Sequence, residues 1–265
     1  MSKRICLVIG GTGGIGQAIA EHLAQRNYTV IVAARNVSKG NEIVERIKSA
    51  EGQATFLPCD LSNEFSIREL HAEVLLLHGR VDVAINAAGI AMPSGKIADA
   101  PVATFQAIMD INVTAVFISM QEQLRIMLGQ TPRKGHIINV ASIWGSAGLP
   151  FNANFCASKH ALIGLTKTAA LEYASDNISV CAVAPGAIPT GMTEKCHRQG
   201  ATLGREWAKV VEEMPRQYPA GKYGSPEDVA KAVAYLIDSD WSTGTILTID
   251  GGWSAGSSLL HAAGT

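Results

Sequence analysis

The sequence predicts a doubly wound α/β fold, a seven-stranded and mostly parallel sheet with helices on both faces. Three observations carry this. Short apolar runs without polar alternation, such as Arg4-Ile-Cys-Leu-Val-Ile9, are the mark of strands buried on both faces of a parallel sheet. These runs alternate along the chain with stretches of helical period. A glycine cluster, Gly10-Gly-Thr-Gly-Gly14-Ile-Gly16, stands between the first run and the first helix. The strand order expected is 3-2-1-4-5-6-7.

At 265 residues, with 47% hydrophobic and 17% charged, the chain can bury a sizeable core, and its length suits one α/β domain over residues 1–265. A formal charge of -1 and scattered Lys and Arg give no electrostatic footprint for nucleic acid or an anionic membrane surface. A small, roughly neutral partner fits better. No run of about 18 apolar residues is present, so no membrane span is expected. Five apolar residues, Ile5 to Ile9, are too few for a signal-peptide core. The five cysteines are dispersed and form no CxxC pair, which points to reduced thiols in a cytoplasmic compartment.

In chain order, strand 4–9 ends at the glycine cluster, and Ile15, Ile19 and Leu23 set the period of the first helix. Glycines are needed there because a pyrophosphate must approach the backbone N–H groups and the positive end of the helix. The second strand, Tyr28-Thr-Val-Ile-Val-Ala-Ala34, leads into Arg35-Asn36. An acidic residue at that strand end would repel a 2′-phosphate, whereas Arg35 offers it a fork of N–H donors, with Lys39 nearby. A helix over roughly 39–50 precedes the third strand, Ala54-Thr-Phe-Leu-Pro-Cys59, and Asp60-Leu61. Ser62 or Asn63 is placed to cap a helix over 64–78. His71 and His78 lie two turns apart on it, and nothing nearby completes a metal site. A fourth strand, Val81-Asp-Val-Ala-Ile85, runs into Asn86-Ala-Ala-Gly89. Asn112 sits inside a long apolar helix, where its propensity is poor. The fifth strand, 135–141, delivers Ser142 at its carboxyl end, the edge where open parallel sheets bind ligands. Phe155 and Lys159 share a helix face at i and i+4. A sixth strand, 178–184, ends at Pro185-Gly186-Ala-Ile188-Pro-Thr190, and residues 191–218 form a long amphiphilic insertion.

Together these residues resemble the short-chain dehydrogenase/reductase family, a Rossmann-like fold, over about residues 3–253. The glycine spacing resembles the TGxxxGxG fingerprint, with Ile9 in place of its threonine. Asn86-Ala87-Ala88-Gly89 resembles the NAAG turn, and Pro185 to Thr190 the PG-x-I-x-T segment. Ser142 is followed thirteen residues later by Phe155, where the family carries its tyrosine, and four residues on by Lys159.

The resemblance implies NADP(H) as cofactor, held by Gly10, Thr12, Gly13, Gly14, Ile15, Gly16, Arg35, Asn36, Asp60, Leu61, Asn86, Ala87, Gly89, Lys159, Pro185, Gly186, Ile188 and Thr190. Asp60 would meet the adenine amino group. Asn112 would kink its helix and hold a water leading toward the lysine. Lys159 would bind the nicotinamide ribose and lower the pKa of the missing hydroxyl. Ser142 would hydrogen-bond the substrate oxygen beside Trp144, Leu149, Met192 and Trp207. Residues 191–220 would be a mobile substrate lid, and helices near 100–128 and 152–174 would assemble a homotetramer. No metal is implied. The substrate expected is a bulky hydrophobic or cyclic ketone or alcohol, with a 3-oxoacyl thioester as the alternative.

Phe155 has the tyrosine ring without its oxygen and cannot donate a proton. Three readings stay open. The chain is a reductase whose tyrosine has been replaced, a natural member whose proton comes from elsewhere or which reduces an already protonated imine, or a non-catalytic NADP-binding protein.

Overall fold

The computed structural model describes residues 4–256, apart from the side chains of Arg205, Glu206, Trp207, Val210 and Pro215. Seven strands form one sheet: β1 (Ile5–Ile9), β2 (Thr29–Ala34), β3 (Gln53–Pro58), β4 (Val83–Asn86), β5 (Gly135–Val140), β6 (Ile178–Pro185) and β7 (Ile246–Ile249). Their order is β3-β2-β1-β4-β5-β6-β7, as expected. Every pairing is parallel, including the β7 edge.

Parallel pairing requires a crossover after each strand, and nine α-helices are found among the described residues. They are α1 (Gly14–Gln25), α2 (Val37–Ser49), α3 (Glu64–His78), α4 (Val102–Met109), α5 (Ala115–Gly129), α6 (Ala153–Tyr173), α7 (Gly191–Gly200), α8 (Arg205–Glu213) and α9 (Pro226–Asp238). β1, β4, β5 and β6 are buried along their whole length, which explains their unalternating apolar sequence. The core has two halves, one on each face of the sheet. Leu7, Ile31, Leu70, Val74, Met127 and Ile137 belong to one, and Val8, Ile19, Val30, Ile43, Val233 and Leu236 to the other. Each such side chain stabilises the fold by about 1.5–3 kcal/mol.

Local chemistry sets the element ends. Asn36 caps α2 by accepting the Lys39 N–H at 3.0 Å, so this helix starts two residues before the expected 39. Asn63, rather than Ser62, caps α3 by accepting the Phe65 and Ser66 N–H groups. Ser225 and Asp228 close a capping box at the start of α9, with Pro226 at its first position.

The long helix expected near 100–128 is not one regular helix. Residues Asp110–Thr114, between α4 and α5, form a turn of π-helix. The continuous run Val102–Gly129 is long and apolar enough, by length and composition, to cross a membrane. It carries Asn112, Ser119 and Gln123 into the interior and leaves Val102, Phe105 and Phe117 exposed on its other side.

Candidate active site

The carboxyl ends of β1, β4, β5 and β6 open onto a cleft of about 420 Å³. Of the residues expected at a site, Gly13, Gly14, Ile15, Gly16, Ala87, Gly89, Ser142, Trp144, Leu149, Phe155, Lys159, Pro185, Gly186, Ile188, Thr190 and Met192 line it. They come from six separate stretches of chain.

The turn after β1 has the geometry that its glycines allow. Gly10 has φ +83, and a Cβ there would lie 2.5 Å from the Ala88 backbone nitrogen. At Gly14 a Cβ would meet the Thr190 methyl at 2.7 Å, so its hydrogen keeps the floor of the cleft open. No side chain caps the start of α1, and no acidic residue occupies its first turn. The first N–H groups and the positive end of the helix dipole are therefore offered to an anion.

Arg35 follows β2 and lines an adjacent hollow with Pro58, Cys59, Asp60 and Ser66. Asp60 Oδ1 accepts the Ser62 N–H at 3.0 Å and the Ser62 hydroxyl at 2.9 Å. Those bonds, helped by the nearby Arg35 charge, hold the Asp60 carboxyl below its usual range. Leu61 packs against the core. The side-chain oxygen of Asn36, next in sequence to Arg35, is taken by its own helix cap.

The side chain of Asn86 faces the interior of the sheet. It is 2% exposed and bonds Gln123 and Asn139, and it does not line the cleft. Asn139 goes on to donate to Thr166 Oγ1 at 2.9 Å. Asn86 and Asn139 are register partners on β4 and β5, so a buried amide chain ties these strands to α5 and α6 beneath the site. The adjoining Ala87, Ala88 and Gly89 line the cleft instead.

The π-turn accounts for Asn112. Its extra residue turns the side chain inward, where Oδ1 accepts the Ile90 N–H at 2.8 Å and Nδ2 donates to the Ile90 carbonyl at 2.9 Å and to Ser158 Oγ at 3.1 Å. Ser158 in turn donates to the Phe155 carbonyl at 2.8 Å. Asn112 thus fixes the loop after β4 against the helix that carries Phe155.

Ser142 leaves β5 and accepts the Trp144 N–H at 3.3 Å, which leaves its hydroxyl proton free to donate. Lys159, 5% exposed, donates to the Val140 carbonyl at 2.8 Å. Burial pushes its amine down to about 8. Its Nζ stands over the Phe155 ring, 5.6 Å from the centroid.

Comparison with known proteins follows this geometry closely. Residues 4–201 match the family described as short chain dehydrogenase. The chain belongs to that family. It is 32% identical to a 3beta-hydroxysteroid dehydrogenase of Mediterraneibacter gnavus, over 95% of each chain. It is 36% identical to a 3-oxoacyl-acyl-carrier-protein reductase of Rickettsia bellii, over 95% of this chain and 97% of the relative. Among solved structures, a tyrosine-to-phenylalanine variant of ElxO with NADPH bound superposes with a TM-score of 0.85 at 31% identity, covering 96% of this chain and 100% of that one. A variant of the actinorhodin polyketide ketoreductase with NADPH gives 0.88 at 30% identity, covering 96% and 98%.

As a short-chain dehydrogenase, the chain is built as an oxidoreductase, and its cleft holds residues that sequence reasoning did not single out as site residues. Cys196 and His197 on α7 reach it from the 191–218 stretch. Trp253, beyond β7, meets Trp144 edge-on, with ring centroids 5.0 Å apart. The tryptophan contact joins residues more than a hundred positions apart and left no local signal. Trp207, also expected at the substrate end, lies outside the described side chains.

Proposed function

We propose that this short-chain dehydrogenase is an NADP(H)-dependent carbonyl/alcohol oxidoreductase for a bulky hydrophobic or cyclic ketone or alcohol, with its proton-transfer step impaired at Phe155. The observation that carries the reading is the placing of Phe155 among Ser142, Lys159 and Asn112, with a ring but no hydroxyl at the cleft wall.

The residues fit the cofactor. The open face of Gly14 against Thr190 and the uncapped start of α1 suit a pyrophosphate, and Arg35 suits a 2′-phosphate. Bound NADP(H) supplies or accepts the hydride. Lys159 would orient the nicotinamide ribose, the Pro185–Thr190 segment would hold the nicotinamide end, Ser142 would donate to the substrate oxygen, and Asp60 would meet the adenine end. The Phe155 ring carries no oxygen from which to deliver the proton. A positioned general acid is worth about 10²–10⁴ in rate, so about 3–5 kcal/mol of transition-state stabilisation is lost. Binding survives, because the ring keeps its volume.

Trp144, Leu149, Met192 and Met214 give the substrate end its apolar lining, which favours a cyclic or bulky skeleton. A 3-oxoacyl thioester is the second reading, supported by the 36% identity with a reductase of that class. Residues 191–220 act as the lid. The exposed apolar side of the Val102–Gly129 run, with Phe105 and Phe117, suits burial between subunits of a homotetramer. The five free thiols suit the cytoplasm.

The test measures NADPH binding by fluorescence and NADPH oxidation against a panel of cyclic ketones and an acyl thioester, for this chain and for Phe155→Tyr. Binding by both chains, with turnover restored by the tyrosine, supports the reading. Absence of NADPH binding overturns it.

A further inference from the structure

We propose a second activity for the same cleft: Lys159 is an amine nucleophile that condenses with a hydrophobic aldehyde or ketone to form an imine. Three observations of geometry carry it. The Lys159 side chain is 5% exposed, yet it lines the 420 Å³ cleft. Among the described residues its Nζ has one hydrogen-bond partner, the Val140 carbonyl, and the side chain facing it is the Phe155 ring, which offers no acceptor oxygen. Ser142, on the same cleft wall, has a hydroxyl proton to give to a carbonyl oxygen.

A lysine amine becomes a nucleophile when it is desolvated in an apolar pocket. Here burial is the cause of the lowered pKa, and the other titratable groups lining the cleft are Lys39, Cys196 and His197. At pH 8 about half of the Lys159 amines are neutral, against well under 1% for an ordinary lysine.

The neutral amine forms a bond to the carbonyl carbon and passes one of its protons to the carbonyl oxygen, giving a carbinolamine. With one further proton taken from solvent that oxygen leaves as water, and a protonated carbon–nitrogen double bond remains on Nζ. No oxidant or reductant is consumed, and the reverse addition of water restores the lysine. A carbonyl compound with an apolar skeleton is the class the lining accepts.

The test uses the full chain without added nucleotide, so its outcome does not depend on NADP(H) binding or on turnover. The protein is incubated at pH 8 with cyclohexanecarbaldehyde and sodium cyanoborohydride, which delivers hydride to the imine carbon and fixes it as a secondary amine. Peptide mapping by mass spectrometry then gives the labelling rate at each lysine. The expected result is that Lys159 is labelled at least tenfold faster than the exposed lysines, with a rate that rises through pH 8. Phe155→Tyr is the second arm, because its hydroxyl would partner Nζ and slow the labelling severalfold in a folded protein. Labelling of Lys159 no faster than that of exposed lysines overturns the proposal, as does equal labelling in Phe155→Tyr.

Discussion

Lys159 Nζ is held 2.8 Å from the Val140 carbonyl and 5.6 Å from the centroid of the Phe155 ring, buried between a strand end and an aromatic face. Burial strips water from the ammonium, which is why its pKa falls from the usual 10.5 to about 8. Below about 8 the folded protein carries a buried charge that the unfolded chain solvates. As pH rises from about 8 to 10.5 the folded state sheds that proton first, so Lys159 contributes increasing stability, about 3 kcal/mol in all. Urea denaturation of this chain and of Lys159→Met across that range checks it. The difference in stability between the two should change by that amount in favour of the lysine form as pH rises.

Arg35 follows β2 where an acidic residue would exclude a 2′-phosphate. Arg35→Ala should weaken NADPH binding by roughly 10- to 100-fold, the worth of a charge-assisted hydrogen bond, and change NADH binding by less than threefold. Fluorescence titration of both nucleotides measures this.

The Asn86 side chain ties β4 to β5 and α5. Asn86→Leu leaves the buried Gln123 amide and Asn139 Oδ1 without their partner and should cost about 2–4 kcal/mol of stability in urea denaturation. NADPH affinity of the folded variant should stay within twofold.

Trp144 and Trp253 touch edge-on at one side of the cleft. In a Phe155→Tyr background, Trp144→Ala and Trp253→Ala should each raise the KM for a cyclic ketone several-fold without changing NADPH affinity. The double variant should cost less than the product of the two, since each removes the other's contact.

The fold was legible because strands buried on both faces leave long apolar runs, and every predicted strand lies within two residues of an observed one. The glycine turn was legible for a local reason, since Gly10 and Gly14 need their hydrogens for backbone and Thr190 to come close. Side-chain direction was not legible. Asn86 reads as a turn residue until its partners Gln123 and Asn139, 37 and 53 positions away, are in place. The kink at Asn112 was implied by the family resemblance, but its bonds to the Ile90 loop are nothing a helical period reports. Trp253 meets Trp144 only through the course of the chain after β7.

The central claim is that Phe155 removes one proton donor from a cleft otherwise complete for hydride transfer. Steady-state NADPH oxidation by Phe155→Tyr, set against this chain on a cyclic ketone at pH 7, tests it most directly. The account predicts a kcat about 10²–10⁴ higher for the tyrosine form at unchanged NADPH affinity. Equal rates in the two chains would contradict it.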